Sequence, residues 1–280
     1  MRYPIALTIA GSDSGGGAGI QADIKAISAT GSYAASVITA VTAQNTLGVQ
    51  KVHSVPSDIV EEQINSVLSD IGADAVKIGM LFSSDVINAV ARALKRFDVT
   101  NIVHDPVMVS TSGHKLMEDD AIATLKNVLM PMARVITPNI PEAEAISGER
   151  IIRQDDLPRV ARQLSDTMFK TAGKRVSVML KAGHLTDSDV IDIFYNAEED
   201  TLTPLHSKRI DSPNTHGTGC TLSSAFASFL AQGYTLNDAA RAAKDYIARA
   251  IASGAAYTIG HGHGPVDHFF KDTSCRTNKL

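Results

Sequence analysis

The chain has 280 residues with 26 Lys and Arg against 30 Asp and Glu, a formal net charge of −4. That balance, with no clustered Lys and Arg, excludes the electrostatic footprint of a nucleic-acid binder. No apolar run reaches the roughly 18 residues of a membrane-spanning helix, and Arg2 leads straight into a strand-like segment without a signal-peptide layout, so a cytoplasmic protein is expected. Cys220 lies in a glycine turn and Cys275 in a polar tail, which argues against a structural disulfide. Periodic signals recur without a long linker. A single domain over residues 1–270 is expected, with a polar, disordered tail over 271–280.

Pro4 to Ala10 reads as a strand, followed by the glycine-rich loop Gly11 to Gly19 and a helix to about Thr30. Gly17-Ala18-Gly19-Ile20-Gln21-Ala22 fits a dinucleotide fingerprint, but no acid follows at the roughly 20-residue spacing that holds a ribose. A dehydrogenase is therefore disfavoured. The loop instead brings backbone close to a small substrate, with Asp23 as an acceptor near the helix start or, more plainly, as a solvated first-turn acid. Ser36 to Thr42 is a buried strand stopping at Ala43-Gln44-Asn45, whose carboxamides suit the donor and acceptor edge of a heterocycle, although turn chemistry also explains Asn45.

A helix capped by Ser57 carries Val60, Ile64, Val67, Leu68 and Ile71 on one face, and the strand Ala73 to Ile78 ends at Gly79-Met80. A helix from Asp85 to Phe97 and a strand from Asn101 to His104 end in Asp105-Pro106-Val107. Asp105 closes an apolar strand, where a carboxylate needs positive charge nearby; a divalent cation would supply it. Met108 to Leu116 has no periodicity and reads as a flap. A helix with Ile122, Leu125, Val128 and Leu129 inward precedes the strand Arg134 to Thr137. Asn139 and Glu142 follow, three apart at a helix entry, as a neutral oxygen and a charge suited to Mg²⁺ or as a capping box. After a helix with Leu157, Val160, Ala161, Leu164 and Met168 buried, the strand Val176 to Leu180 ends in Lys181-Ala182-Gly183-His184. Lys181 either snorkels to the surface or neutralises phosphate. Val190 to Tyr195 and Thr203 to Ile210 form a hairpin across the acidic turn Glu198-Glu199-Asp200.

Asn214-Thr215-His216-Gly217-Thr218-Gly219-Cys220 then feeds a helix over 218–232 with Leu222, Ala225, Phe226, Phe229 and Leu230 in phase. Gly217 and Gly219 clear the way for amides to close on an anion at the positive end of the helix dipole. Cys220, in the first turn, is placed to lose its proton more readily than a free thiol and to accept one from a substrate hydroxyl, unless it is an inert buried cysteine. A last helix runs from Leu236 to about Tyr257. His261, His263 and His268 alternate in part with glycine and read as a loop, not a metal site.

Gln44, Met80, Asp105, Thr137 and Lys181 thus each end a separate predicted strand, and in an open α/β sheet such ends line one crevice. A glycine loop, an acid pair with Asn, a lysine and an anion hole add up to phosphoryl transfer. The Walker sequence of P-loop kinases is absent.

These segments, with Thr42 to Thr46, Lys77 to Met80, Asp105 to Met108 and Thr137 to Ala143, resemble the ribokinase-like superfamily and, within it, the hydroxymethylpyrimidine/phosphomethylpyrimidine kinases of thiamine biosynthesis. The resemblance spans Pro4 to about Phe270. It implies an α/β fold with a mostly parallel central sheet of about eight strands flanked by helices on both faces, commonly a homodimer, using ATP and Mg²⁺. It implies a pyrimidine pocket of Gly11, Asp23, Gln44, Met80 and Val107. It places Asp105 and Glu142 at the metal, Thr137, Asn139, Lys181, His184, Thr215, Gly217 and Gly219 at the nucleotide, and Cys220 with Gly217, Thr218, Gly219 and Lys181 at the chemistry. Most sugar kinases of the superfamily carry Asp where this chain has Cys220, which narrows the resemblance to the vitamin kinases. The rival readings are a pyridoxal or pyridoxine kinase and a noncatalytic pyrimidine sensor; retention of Asp105, Glu142, Lys181 and the anion loop speaks against the sensor.

Overall fold

The computed structural model describes residues 2–108 and 117–271. Nine strands form one sheet in the order β3-β2-β1-β4-β5-β6-β7-β8-β9. They are β1 Ile5–Asp13, β2 Tyr33–Asn45, β3 Gly48–Ser54, β4 Ala75–Ile78, β5 Ile102–His104, β6 Val135–Ile136, β7 Ser177–Leu180, β8 Asp189–Asn196 and β9 Thr201–Lys208. The six strands β2, β1, β4, β5, β6 and β7 run parallel, while β3 at one edge and β8 and β9 at the other pair antiparallel.

The helices are α1 Gly19–Ala29, α2 Ser57–Asp70, α3 Ser84–Arg96, α4 Asp119–Thr124, α5 Ile140–Ser147, α6 Leu157–Ala172, α7 Thr218–Ala231 and α8 Leu236–Gly254. Alternation along the short central strands assigns each residue to one of two cores. Val76, Ile102, Ile136 and Val178 join the side chains of α2 to α6, whereas Ala75, Val103, Val135 and Met179 join those of α1, α7 and α8. The helices therefore cover both faces, and every parallel strand delivers its C-terminal end to the same rim.

Several expectations are corrected. β3 is an unexpected seven-residue edge strand, Gly48–Ser54, returning antiparallel along β2 after the turn at Thr46 and Leu47. It escapes a search for buried strands because Gln50 and Lys51 are exposed. β2 continues through Gln44 and Asn45 because β3 supplies its ladder partners. Ser57 is the first helical residue of α2, not its cap, and Pro56 occupies the N-cap without a side-chain hydrogen bond. The helix expected around Ile122 begins as α4 but widens into a π-helical turn at Leu125–Leu129 and tightens to a 3-10 turn at Met130–Met132, which contains Pro131. Pro has no amide to donate, so a regular ladder cannot pass it. The expected flap lies largely, over 109–116, and the tail over 272–280, outside the described residues.

Candidate active site

The rim carries Gln44 near the end of β2, Met80 just past β4, Asp105 directly after β5, Thr137 after β6 and Lys181 after β7. Because spatial and chain order coincide from β4 onward, these side chains form a row whose two ends have different chemistry.

At the first end, the β1–β2 register shifts between Ala10 and Ser12, which leaves Gly11 out of the pairing. A side chain there would press on Met80, its Cβ 3.2 Å from the methionine sulfur, so glycine leaves this corner open. Met80 packs with Ala40 and Val49, and Val107 and Phe82 lean against them, giving one apolar wall. Gln44 supplies the polar edge. Its carboxamide lies 3.2 Å from His216 Nε2 and 3.1 Å from Thr42 Oγ1.

The glycine loop after β1 is organised by Asp13, whose carboxylate accepts from the amides of Gly15, Gly17 and Ala18 and lies 3.0 Å from His216 Nε2. Burial would raise its pKa, but the His216 contact and these amides outweigh it and hold the carboxyl below its ordinary range. Sequence reasoning missed both Asp13 and His216. The only local sign was an Asp heading a run of glycines.

At the other end, Asp105 accepts from Lys181 Nζ at 2.8 Å and from Thr137 Oγ1 at 2.9 Å. The positive neighbour that a carboxylate needs at that strand end is thus already present in the chain. Burial opposes ionisation of Asp105, yet Lys181 and Lys77 keep its pKa below normal. Asn139 and Glu142 form a complete capping box at the start of α5: the Asn139 side chain accepts from the Glu142 amide at 2.9 Å, and Glu142 accepts from the Asn139 amide at 2.8 Å. The capping role and the nearness to Asp105 coexist. Burial first, then the Asp105 charge, push Glu142 up to about 7 against the pull of Lys181. Among the described residues no group of three or more His, Cys, Asp and Glu could hold a metal by itself. His184 lies beyond Lys181, partly open to solvent, and the partial desolvation of its ring, then the Lys181 charge, lower its pKa. Directly before Asp105, buried His104 is pushed down to about 4 by desolvation and stays neutral.

Between the two ends sits the start of α7. Gly217 is its N-cap at φ 78°, a left-handed conformation that favours glycine, and a Cβ there would overlap the Gly17 carbonyl. Gly219 packs under the ion pair, its ideal Cβ position 3.2 Å from Lys181 Nζ and 3.3 Å from Asp105 Oδ2. The Thr218 amide is turned back onto the Thr215 carbonyl, whereas the amides of Gly217, Gly219 and Cys220 have no acceptor among the described residues. Unpaired amides at a helix start attract an anion. The loop is buttressed from behind by Asn214, which donates to the carbonyls of Gly254 and Tyr257, and by His268 against Thr221.

Cys220 is partly exposed to the crevice. The expectation of an easily ionised thiol is overturned. Burial, helped by the Asp23 and Asp105 charges, pushes it up to about 11 despite the opposing Lys77 charge and a hydrogen bond from the Gly19 amide. Helix position alone did not reveal those carboxylates.

Asp23 also departs from expectation. It is fully buried as the fifth residue of α1, and its oxygens accept from Lys77 Nζ at 2.8 and 2.9 Å, Ser224 at 2.7 Å and Thr8 at 2.6 Å. It lies beneath the floor of the crevice, its oxygens already engaged by the protein. Lys77, its partner, was missed; a single charge inside the apolar run Ala75 to Ile78 was the available signal.

An anion site at the start of a late helix, beside the strand-end row of a mostly parallel sheet and without a P-loop sequence, is the arrangement of the ribokinase-like class. Solved structures agree: the ADP complex of Bacillus subtilis pyridoxal kinase is 34% identical, with a TM-score of 0.84 over 95% of this chain and 98% of that one. The phosphomethylpyrimidine kinase of Clostridium difficile is 43% identical, with a TM-score of 0.76 over 88% and 99%. The family model described as phosphomethylpyrimidine kinase matches residues 13–267, and the chain belongs to that family. The hydroxymethylpyrimidine/phosphomethylpyrimidine kinase of Rhizobium meliloti is 48% identical over 95% of this chain and 97% of its own length. The rice chloroplastic protein described as a probable thiamine biosynthetic bifunctional enzyme is 46% identical over 97% of this chain, which spans only 48% of that relative.

Proposed function

We propose that the chain phosphorylates 4-amino-5-hydroxymethyl-2-methylpyrimidine and then its monophosphate, in thiamine biosynthesis. The observation that carries this reading is the trio of amides at Gly217, Gly219 and Cys220, without an acceptor among the described residues and set between the Lys181–Asp105 pair and the Gln44 carboxamide. ATP supplies the transferable phosphoryl group, and Mg²⁺ offsets the charge of its phosphates. The residues fit both. Bare amides at a helix start suit phosphate oxygens, and a second buried carboxyl, Glu142, raised to about 7 beside Asp105, is one that a divalent cation would help to ionise.

On this reading Gln44 fixes the heterocycle edge while Met80 and Val107 wall it in. Lys181 is charged and held by Asp105, ready to balance negative charge without first being ordered. Thr137 and Asn139 keep Asp105 and Glu142 in place, and Thr215 and His184 border the nucleotide. Cys220 is a neutral thiol at rest and already carries its proton, so it orients the substrate hydroxyl without serving as its base; the hydroxyl proton passes to an oxygen of the transferred phosphoryl group as the new O–P bond forms and the bond to ADP breaks. Positioning and electrostatics dominate phosphoryl transfer, so this modest role suffices. No described helix is long and apolar enough to cross a membrane. The reading includes a cytoplasmic homodimer, supported by exposed apolar side chains at Tyr33, Val41 and Leu47 along the β2–β3 edge.

The test is ATP consumption with Mg²⁺ on hydroxymethylpyrimidine, its monophosphate and pyridoxal, with products identified by mass. Diphosphate from the pyrimidine is expected. Turnover of pyridoxal alone would move the activity to vitamin B6 salvage, and tight pyrimidine binding without turnover would favour a sensor.

A further inference from the structure

His216 Nε2 is within hydrogen-bond distance of both Asp13 Oδ2, at 3.0 Å, and the Gln44 amide nitrogen, at 3.2 Å. Asp13 already accepts three backbone amides and is held ionised, so it can only accept. The proton of that contact must therefore sit on Nε2. An Nε2–H cannot accept from a Gln44 amine, so the contact as placed joins two donors. The opposite end of the carboxamide has the complementary fault. Gln44 Oε1 is 3.1 Å from Thr42 Oγ1, but the single hydroxyl proton of Thr42 is taken by the Ser12 carbonyl at 2.8 Å. Oxygen and nitrogen of a carboxamide are alike in shape, and exchanging them repairs both contacts. The oxygen then accepts from His216 Nε2–H, shared with Asp13, and the nitrogen donates to Thr42 Oγ1.

We infer that Asp13 and His216 form a clamp that locks the Gln44 carboxamide with its oxygen toward His216 and its nitrogen toward Thr42, making His216 a specificity-determining positioning residue. The inference rests on Gln44 being the heterocycle contact. It fixes which way round the substrate sits. An aminopyrimidine edge, with a donating amino group beside an accepting ring nitrogen, matches the locked amide only with its amino group on the His216 side. A 4-oxo analogue, accepting where the amino compound donates, meets oxygen against oxygen and is rejected. An amide free to rotate could serve either edge. The clamp also spans the two loops, since Asp13 organises the first and His216 belongs to the second.

The test uses the full chain and two readouts. Long-range ¹H–¹⁵N correlation of the imidazoles is expected to show His216 protonated on Nε2; an Nε2 without a proton overturns the inference. The second readout is the preference for 4-amino-5-hydroxymethyl-2-methylpyrimidine over its 4-oxo analogue, measured as kcat/KM and as Kd. His216→Phe is expected to reduce this preference by about tenfold or more, mainly through KM for the amino compound. His216→Gln, which returns an amide N–H near the place of Nε2, is expected to restore it. Equal preference in wild type and His216→Phe overturns the inference; should His216→Phe not fold, a loss of preference in Asp13→Asn carries the same expectation, and its retention the same refutation. Failure of the wild type to turn over any acceptor would count against the kinase reading, while the tautomer and the Kd ratio would still judge the clamp.

Discussion

Gly217 and Gly17 meet with no room for a side chain between them: a Cβ on Gly217 would overlap the Gly17 carbonyl oxygen. The two glycine loops, 200 residues apart, are therefore built against one another, and each is held in shape by its own device, Asp13 for the first and Asn214 for the second.

Gly217→Ala is accordingly expected to cut kcat by about a hundredfold or more, the scale of losing a donor at a preorganised oxyanion site. Both the positive φ and the overlap act against it. Gly219→Ala, whose new methyl would press on Lys181 and Asp105, is expected to lose less. Steady-state kinetics on both variants, alongside melting curves, separates site damage from unfolding; equal activity in Gly217→Ala would show that the loops do not need this contact.

The Cys220 thiol, raised to about 11, is expected to alkylate slowly at pH 7, with the rate still climbing at pH 9. A plateau below pH 8 would mean that the amides and Lys77 win over burial. Lys77→Met removes an opposing cation, so alkylation at any fixed pH below 10 should slow further.

Glu142 gives a signed prediction for stability. Its folded pKa of about 7 lies above its unfolded value, so the fold favours the protonated form. The stabilisation is fully present below the unfolded value near 4.5 and is lost as pH rises through about 7. The loss is ~3 kcal/mol as an order of magnitude. Glu142→Gln keeps the capping box and should remove this slope from urea-denaturation free energies between pH 5 and 8. An unchanged slope would place the titration elsewhere.

Lys77 and Asp23 are both fully buried. Lys77→Met alone leaves Asp23 without its cation and is expected to cost about 3–5 kcal/mol, whereas Lys77→Met with Asp23→Leu should recover much of it. Denaturant titration of the single and double variants checks this; additive losses would mean that Asp23 is supported mainly by Ser224 and Thr8.

Five of the six parallel strands, all but β1, were legible because each is an apolar run cut short by Gln44, Met80, Asp105, Thr137 or Lys181, and those interruptions proved to be neighbours along the rim. The helix after Gly219 was legible from its period. β3 was not, since an edge strand with exposed Gln50 and Lys51 has little apolar pattern to read. Nor were Asp13 and Lys77, whose meaning comes from His216 and Asp23, partners distant in sequence. Cys220 misled because the helix dipole is visible in sequence and the surrounding burial is not.

The sheet order has a consequence for synthesis. Gln44 on β2, Met80 just past β4 and Val107 just past β5 are brought together once β1 to β5 have paired, and Lys181 takes its place after β7. α7, which packs on α1, β1, β4 and β5, reaches them only after residue 217 has left the ribosome. A nascent or truncated chain ending before α7 would hold the row of strand-end residues with neither amides nor thiol above it, and the charged pair Lys77–Asp23 would lie open to water until that helix covers it.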